Sequence, residues 1–283
     1  MKTGIVDVGG GLRDIYGWGI FEYCMENEIS FDLCIGVSAG SANTSVYLAG
    51  QKKRNYPFYT EYPFRKEYMS IKNFLTKKTF LDLDYVYSTL SNSDGENPFD
   101  YEAMRRNPAD LLVVATNAET AQPVYFTKDD FQQDQYDALK ASSAIPFVCK
   151  PYSCSGVACF DGALSDSVPV MKAFEEGCDK VVLILTKPLD VPRTPGNDPK
   201  FARLIRRKYP KASEALMNRH ILYNTQVKKA KELAEEGRVL ILSPDNLEGM
   251  TTLKRDIEAM EKLYQKGFRD AERLLPGFLN GAT

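Results

Sequence analysis

The 283-residue chain contains a single histidine, His220. A zinc site would therefore have to be all-cysteine or rich in carboxylates, and any catalytic device built on an imidazole has one candidate. The six cysteines (Cys24, Cys34, Cys149, Cys154, Cys159 and Cys178) make no C-x-x-C pair. The even spacing of Cys149, Cys154 and Cys159 fits no metal pattern, so all six read as reduced thiols packed as small hydrophobes. No metal and no cofactor is called for. Excess charge of one sign is also missing: a net charge of −2 argues against a general nucleic-acid binder. No apolar run approaches the ~20 residues needed to cross a bilayer. The start, Met1-Lys2-Thr3-Gly4-Ile5-Val6-Asp7, has no apolar core of a signal peptide, so none is expected. These absences predict a cytoplasmic protein, with peripheral contact at the inner membrane surface as its one route to lipid. Neither an internal repeat nor a low-complexity segment is present.

What is present is ample core material, with 43% hydrophobic and 26% charged residues. The length allows one large domain or two ordinary ones. The chain is organised around Gly36-Val37-Ser38-Ala39-Gly40, a G-x-S-x-G pattern. An apolar run (Phe31, Leu33, Cys34, Ile35, Val37) precedes it as a buried strand would, and small residues follow it into a short helix ending near Ala49-Gly50. Strand, sharp turn and helix around a Gly-flanked serine is the geometry of a nucleophile elbow, which lifts the hydroxyl clear of the sheet.

Upstream, Thr3 to Val8 reads as a strand entering Gly9-Gly10-Gly11, and Leu12 to Asn27 carries apolar residues at helical spacing. Two successive βα units predict a parallel sheet with helices on its faces. Further strands are expected at Leu111–Ala118, Pro123–Thr127, Val157–Phe160, Val181–Thr186 and Val239–Ser243, with a helix over Tyr136–Ser143. Gln51 to Lys78 is aromatic, basic and broken by Pro57 and Pro63. It is either a helical lid whose aromatics pack on the body or a surface that meets lipid headgroups. Residues 200–231 hold ten basic side chains against one acid, Glu214, as a solvated helical face or a patch for anionic lipid. Thr251 to Leu275 places Leu253, Ile257, Met260, Tyr264, Phe268, Ala271 and Leu275 on one stripe, a closing helix with Gly267 as a weak spot.

Acyl transfer by a serine needs a nucleophile, a base and N–H donors for the oxyanion. Two bases compete. Ser38, Asp161 and His220 follow the order of an α/β-hydrolase triad, but that fold places several strands before its elbow and here there is one. A surface histidine in a cationic helix is the simpler account of His220. The other base is Asp161, in Asp161-Gly162-Ala163 at a strand end. Parallel strands end on one sheet edge, where a strand-end Asp can reach a strand-end Ser. Burial would raise its ordinary pKa of ~3.9 and improve it as a base. The glycines of Gly9-Gly10-Gly11 leave their N–H groups unshielded at a helix start, which suits a phosphate or an oxyanion equally. The spacing is neither G-x-G-x-x-G nor a Walker motif.

These stations together resemble the patatin-like phospholipase family, which pairs a G-G-G-x-R/K-G loop with a G-x-S-x-G elbow and a later D-G-A/G. Here they stand as Gly9-Gly10-Gly11-Leu12-Arg13-Asp14, Gly36-Val37-Ser38-Ala39-Gly40 and Asp161-Gly162-Ala163. Two flanks also match, Ala141-Ser142-Ser143-Ala144-Ile145-Pro146 and Leu164-Ser165-Asp166-Ser167-Val168-Pro169-Val170. The resemblance implies a three-layer α/β/α fold with a mainly parallel central sheet. It implies a serine esterase or phospholipase A-type lipase, acting on a lipid or small ester through an acyl-enzyme. Ser38 would be the nucleophile and Asp161 its partner. Gly9, Gly10, Gly11 and Ala39 would form the oxyanion hole, and Arg13 would hold the loop. The whole chain, 1–283, is then one such domain, with an aromatic insertion at about 51–107 and a helical C-terminal extension at about 198–283. One departure is Asp14, which stands where the family has its last Gly and adds bulk and negative charge beside the loop. A non-catalytic module binding lipid or protein on the same fold is the alternative.

Overall fold

A computed structural model of the protein describes residues 1–77 and 79–281; Lys78, which closes the aromatic stretch, and Ala282 and Thr283 lie outside the described residues. The chain opens with strand β1 (Thr3–Asp7), helix α1 (Ile15–Glu26), β2 (Leu33–Val37) and α2 (Ala39–Leu48). Three short helices follow, α3 (Tyr56–Thr60), α4 (Ile71–Lys77) and α5 (Tyr101–Arg106), before β3 (Asp110–Asn117), β4 (Pro123–Phe126) and α6 (Asp137–Ser142). Then come β5 (Tyr152–Cys154), β6 (Val157–Asp161), α7 (Val170–Glu175) and β7 (Lys180–Ile184). The chain closes with α8 (Asp198–Ile205), α9 (Pro210–Glu235), β8 (Val239–Leu242) and α10 (Ile257–Leu279).

One sheet runs through the molecule in the order β5-β6-β3-β2-β1-β7-β8, with β4 also paired to β3. Strands β1, β2, β3, β7 and β8 are parallel to one another. Their side chains alternate strictly between two cores. Ile5, Cys34, Val113 and Val182 face one, beside α1, α2 and α10. Val6, Ile35, Val114 and Leu183 face the other, beside α7 and α9. With both faces covered by helices, such strands read as continuous apolar runs, as these do. The architecture is a three-layer α/β/α sandwich with a mainly parallel sheet.

The sequence reading differs from the structure at two places, the direction of β6 and the role of Gly267. Strand β6 is antiparallel to β3, not parallel to its neighbours. Composition signals burial but not direction, so a short apolar run cannot announce which way it crosses. Gly267 is no weak spot. Helices α1 and α10 cross so closely that a Cβ on Gly267 would overlap the Tyr16 carbonyl, and one on Gly19 would overlap the Tyr264 carbonyl. The aromatic stretch packs on the body: Tyr59 and Tyr62 are buried, and Tyr56, Phe58 and Tyr68 are partly buried against the core. All six cysteines are free and buried. Among the described residues no helix is long and apolar enough to cross a membrane.

Candidate active site

Ser38 follows β2 directly and stands at the N-cap of α2 with φ 57° and ψ −128°. A non-glycine residue in this region costs on the order of 1–3 kcal/mol and persists only where its surroundings enforce it. Two features enforce it here. The Ser38 N–H donates to Ser142 Oγ at 2.8 Å, and Ser142 Oγ donates in turn to the Val114 carbonyl at 2.6 Å. Next to it, Gly40 sits so close to β1 that a Cβ would lie 2.7 Å from the Asp7 carboxyl carbon. A larger residue at position 40 would push the elbow off the sheet.

Asp161 reaches the same place from the opposite direction. In register, Val37 of β2 faces Val114 of β3, and Asp161 faces Ala115. Strand β6 thus runs down into the sheet and stops level with the end of β2. The expected meeting of a strand-end Ser with a strand-end Asp occurs, but through an antiparallel strand. Asp161 is buried and accepts the Ala163 N–H at 2.9 Å. Burial raises its pKa, while the Ala163 N–H, the Ser38 hydroxyl that faces it, and the positive charge of Arg219 and Arg193 offset part of the rise. The site thus holds a carboxylate that is a stronger base than a free one.

The glycine loop lies across from this pair. Gly9, Gly10 and Gly11 have φ of 66°, 151° and 61°, conformations that side chains rarely tolerate. The Gly9 N–H is committed to Asp7 Oδ1 at 3.0 Å. Among the described residues no acceptor meets the N–H groups of Gly10, Gly11 or Ala39, so these three are the donors left for an oxyanion. Thr186 Oγ1 donates to the Gly9 carbonyl, and Leu12 N–H donates to the Thr252 carbonyl at 2.9 Å. The loop is therefore held from the segment just after β7 and from the segment before α10. Arg13 Nη2 lies beside Gly10.

Asp14 does not face the loop's open side. It is fully buried beneath it, beside the equally buried Asp7. Two adjacent buried carboxyls cannot both ionise. Burial and the Asp7 charge push Asp14 well above the usual carboxylate range. Asn43 Nδ2 donates to Asp7 Oδ2 at 3.2 Å and to Asp14 Oδ2 at 3.1 Å. Asn43 Oδ1 accepts from Asn55 and Tyr59. Asp14 thus anchors the underside of the loop to α2 through Asn43.

Two compartments meet at Ser38. One, of about 70 Å³, is apolar and lined by Leu12, Phe58, Met69, Leu83, Val86 and Tyr87 among others. The aromatic stretch supplies part of this wall. The other, of about 360 Å³, is the more polar of the two and holds Ser38, Asp161, Gly10 and Gly11 together with Arg13. His220, on α9, lines neither compartment. Sequence reading did not find Asp7 and Thr186 as supports for the loop, nor Lys187, Arg193, Asp198 and Arg219 in the polar wall. The 187–198 loop carries no motif. Ser142 stood inside a flank already noted, and its small size beside the elbow was the available signal.

Comparison with known proteins adds the following. The sequence profile of the patatin-like phospholipase family matches residues 8–174, more than half of the chain. A second profile, a domain of unknown function (DUF6363), matches residues 209–281. The uncharacterized protein YjjU of Escherichia coli (strain K12) is 26% identical over 199 residues, covering 69% of this chain and 54% of YjjU. The chain thus spans about half the length of that curated relative. Among solved structures, VipD from Legionella pneumophila superposes with a TM-score of 0.55 at 14% identity, over 98% of this chain and 67% of VipD. At that identity the likeness speaks for the fold alone.

Proposed function

Since the chain belongs to the patatin-like phospholipase family, we propose that it is a serine hydrolase cleaving carboxylic esters of lipids through a Ser38–Asp161 dyad. One observation carries this reading. A strained serine faces a buried carboxylate where an apolar compartment and a polar one meet, beside three uncommitted N–H donors.

In this mechanism Ser38 Oγ attacks the ester carbonyl carbon as its proton passes to Asp161, and the carbonyl π electrons move onto oxygen. The N–H groups of Gly10, Gly11 and Ala39 stabilise that oxyanion. Its collapse breaks the carbon–alkoxy bond, and the leaving oxygen takes the proton from Asp161. Water, deprotonated by the same carboxylate, then releases the acid and restores Ser38. The acyl chain occupies the apolar compartment and the alcohol side of the ester the polar one. Residues 1–283 act as one unit in this scheme, because β8 continues the sheet beside β7 and the 187–219 region walls the site. Contact with a lipid surface is part of the proposal. Ile71 and Leu75 of α4 are 72% and 75% exposed, and Phe74 packs on the partly exposed Phe147, two residues from Ile145, which lines both compartments.

The direct test is treatment of the intact protein with a fluorophosphonate, followed by mass spectrometry and peptide mapping. A single adduct on Ser38 is expected. Folded protein that takes no adduct, or takes it elsewhere, would sink the proposal. The loop makes a second prediction. At Gly10 a Cβ would overlap Thr186 Oγ1 and crowd Arg13 Nη2 at 3.2 Å, so Gly10→Ala displaces the donors without touching the dyad. Its kcat is expected to fall by ~10²–10³, the usual cost of one lost oxyanion donor. Steady-state kinetics on a p-nitrophenyl ester checks this, and an unchanged kcat would remove the loop from the mechanism.

A further inference from the structure

The polar compartment carries more positive charge than the fold accounts for. Its charged lining is Arg13, Lys187, Arg193 and Arg219 against two carboxylates, Asp161 and Asp198. Asp198 is already taken: Arg219 grips it with two bonds of 3.0 and 2.7 Å, and Arg193 approaches it at 3.7 Å. The Arg193 backbone is pinned to α9 through Asn224, whose Oδ1 accepts its N–H at 2.8 Å and whose Nδ2 donates to its carbonyl at 3.0 Å. These cations are therefore fixed in place and do not wander in solvent.

Arg13 and Lys187 have no ion-pair partner among the described residues, and the buried Arg13 Nε has no acceptor at all. Burial, together with Arg193, Arg13 and Arg219, pulls the Lys187 pKa down to about 8. Holding uncompensated cations together in a partly buried space is costly unless an anion joins them.

We infer that this compartment is a subsite for a dianionic phosphate carried on the alcohol side of the ester, held by Lys187, Arg13 and Arg193. The excess of two positive charges matches a phosphomonoester, which carries about −1.5 to −2 at neutral pH. A zwitterionic headgroup would leave the excess unanswered and bring a cation among cations. The subsite lies in the same cavity as Ser38 and Asp161, so the phosphate would sit a short glycerol-like linker from the scissile bond. The inference rests on the hydrolase reading for its place in turnover, though not for the binding itself.

The test has a binding arm and a kinetic arm. Calorimetry of the full-length protein with glycerol 3-phosphate should show one saturable site, weakened by salt and by Lys187→Met and restored by Lys187→Arg. Glycerol should show none. In the kinetic arm, kcat/KM is compared for a 1-acylglycerol 3-phosphate and the 1-acylglycerol of the same acyl chain. The phosphate ester should be preferred by at least about tenfold, the worth of one charge-assisted hydrogen bond, and Lys187→Met should lower that ratio about tenfold. Absence of saturable binding to wild-type protein overturns the subsite without reference to any variant. Binding of inorganic phosphate or glycerol 3-phosphate with no kinetic preference also overturns it, since the anion would then be free phosphate and not a substrate group. If neither ester is turned over and no fluorophosphonate adduct forms on Ser38, the hydrolase reading fails, and calorimetry still decides the anion site.

Discussion

Ser38→Ala is expected to reduce ester turnover by on the order of 10⁵–10⁶, the effect of removing a nucleophile from a cooperating set. Asp161→Asn is expected to reduce kcat by up to ~10⁴, because asparagine keeps the shape and the Ala163 hydrogen bond but cannot take a proton. The double variant should be no slower than Ser38→Ala, since a base without a nucleophile has nothing to act upon. The pH profile separates this chemistry from mere misfolding. Asp161 works as the carboxylate, so the rate falls as pH drops through its pKa. Burial raises that pKa above the ordinary carboxylate value, so the acid limb of kcat/KM should lie above pH ~4. The residual activity of Asp161→Asn should lack this limb. His220→Ala supplies the control on the competing triad, because His220 lines neither compartment at Ser38. Steady-state rates from pH 4 to 9 on a p-nitrophenyl ester give the whole set. An Asp161→Asn enzyme with wild-type turnover, or a His220→Ala enzyme without turnover, would rule out the dyad.

The second large effect is on stability. Glycine in a helix interior costs roughly 1 kcal/mol relative to alanine, so Gly267→Ala would stabilise α10 if the helix stood alone. In the fold the sign reverses. The new methyl would press into the Tyr16 carbonyl, which is backbone and has no rotamer to yield. Relief requires α10 to move off α1. That separation would disturb the buried Tyr16 Oη to Asp270 bond of 2.9 Å, and with it core packing that includes Met260, Leu263 and Ala271. Overpacking against a rigid neighbour typically costs 1–3 kcal/mol, sometimes more, and contact with backbone puts this case at about 3 kcal/mol. The expected fall in Tm is roughly 6–12 °C, with Gly19→Ala behaving alike because it meets the Tyr264 carbonyl in the same crossing. Calorimetric or circular-dichroism melts would show it. An unchanged or raised Tm would mean that the helices are not packed this closely.

These two predictions differ in how much of each was legible in the chain. The elbow was, because five residues in a row determine a local backbone path: a strained serine needs small neighbours, and the neighbours are written beside it. The glycine loop and the strand-end Asp-Gly-Ala were legible for the same reason, as were the long strands and a closing helix, although that helix begins at Ile257, leaving Leu253 outside it and Ile257 exposed. The role of Gly267 was not. Helix propensity is a property of one residue, whereas the Tyr16 carbonyl that decides the matter is about 250 positions away.

Distance along the chain likewise hid the direction of β6, which depends on how the chain returns to the sheet and not on which residues are apolar. It hid the second carboxyl beneath the loop. Asp14 read as an added charge, and only packing against Asp7 makes it half of a buried carboxyl pair whose burial pushes its pKa up. The ten basic residues between 200 and 231 looked like one charged face. Folding separates them, turning Arg219 inward onto Asp198 while Arg203, Arg206 and Arg207 stay exposed. The sequence alone therefore determined the local stations of the chemistry, since those depend on backbone conformation over a few residues. The tertiary structure decided their register, their charge and the compartments they share, because burial and electrostatics are sums over residues that meet only when the sheet has formed.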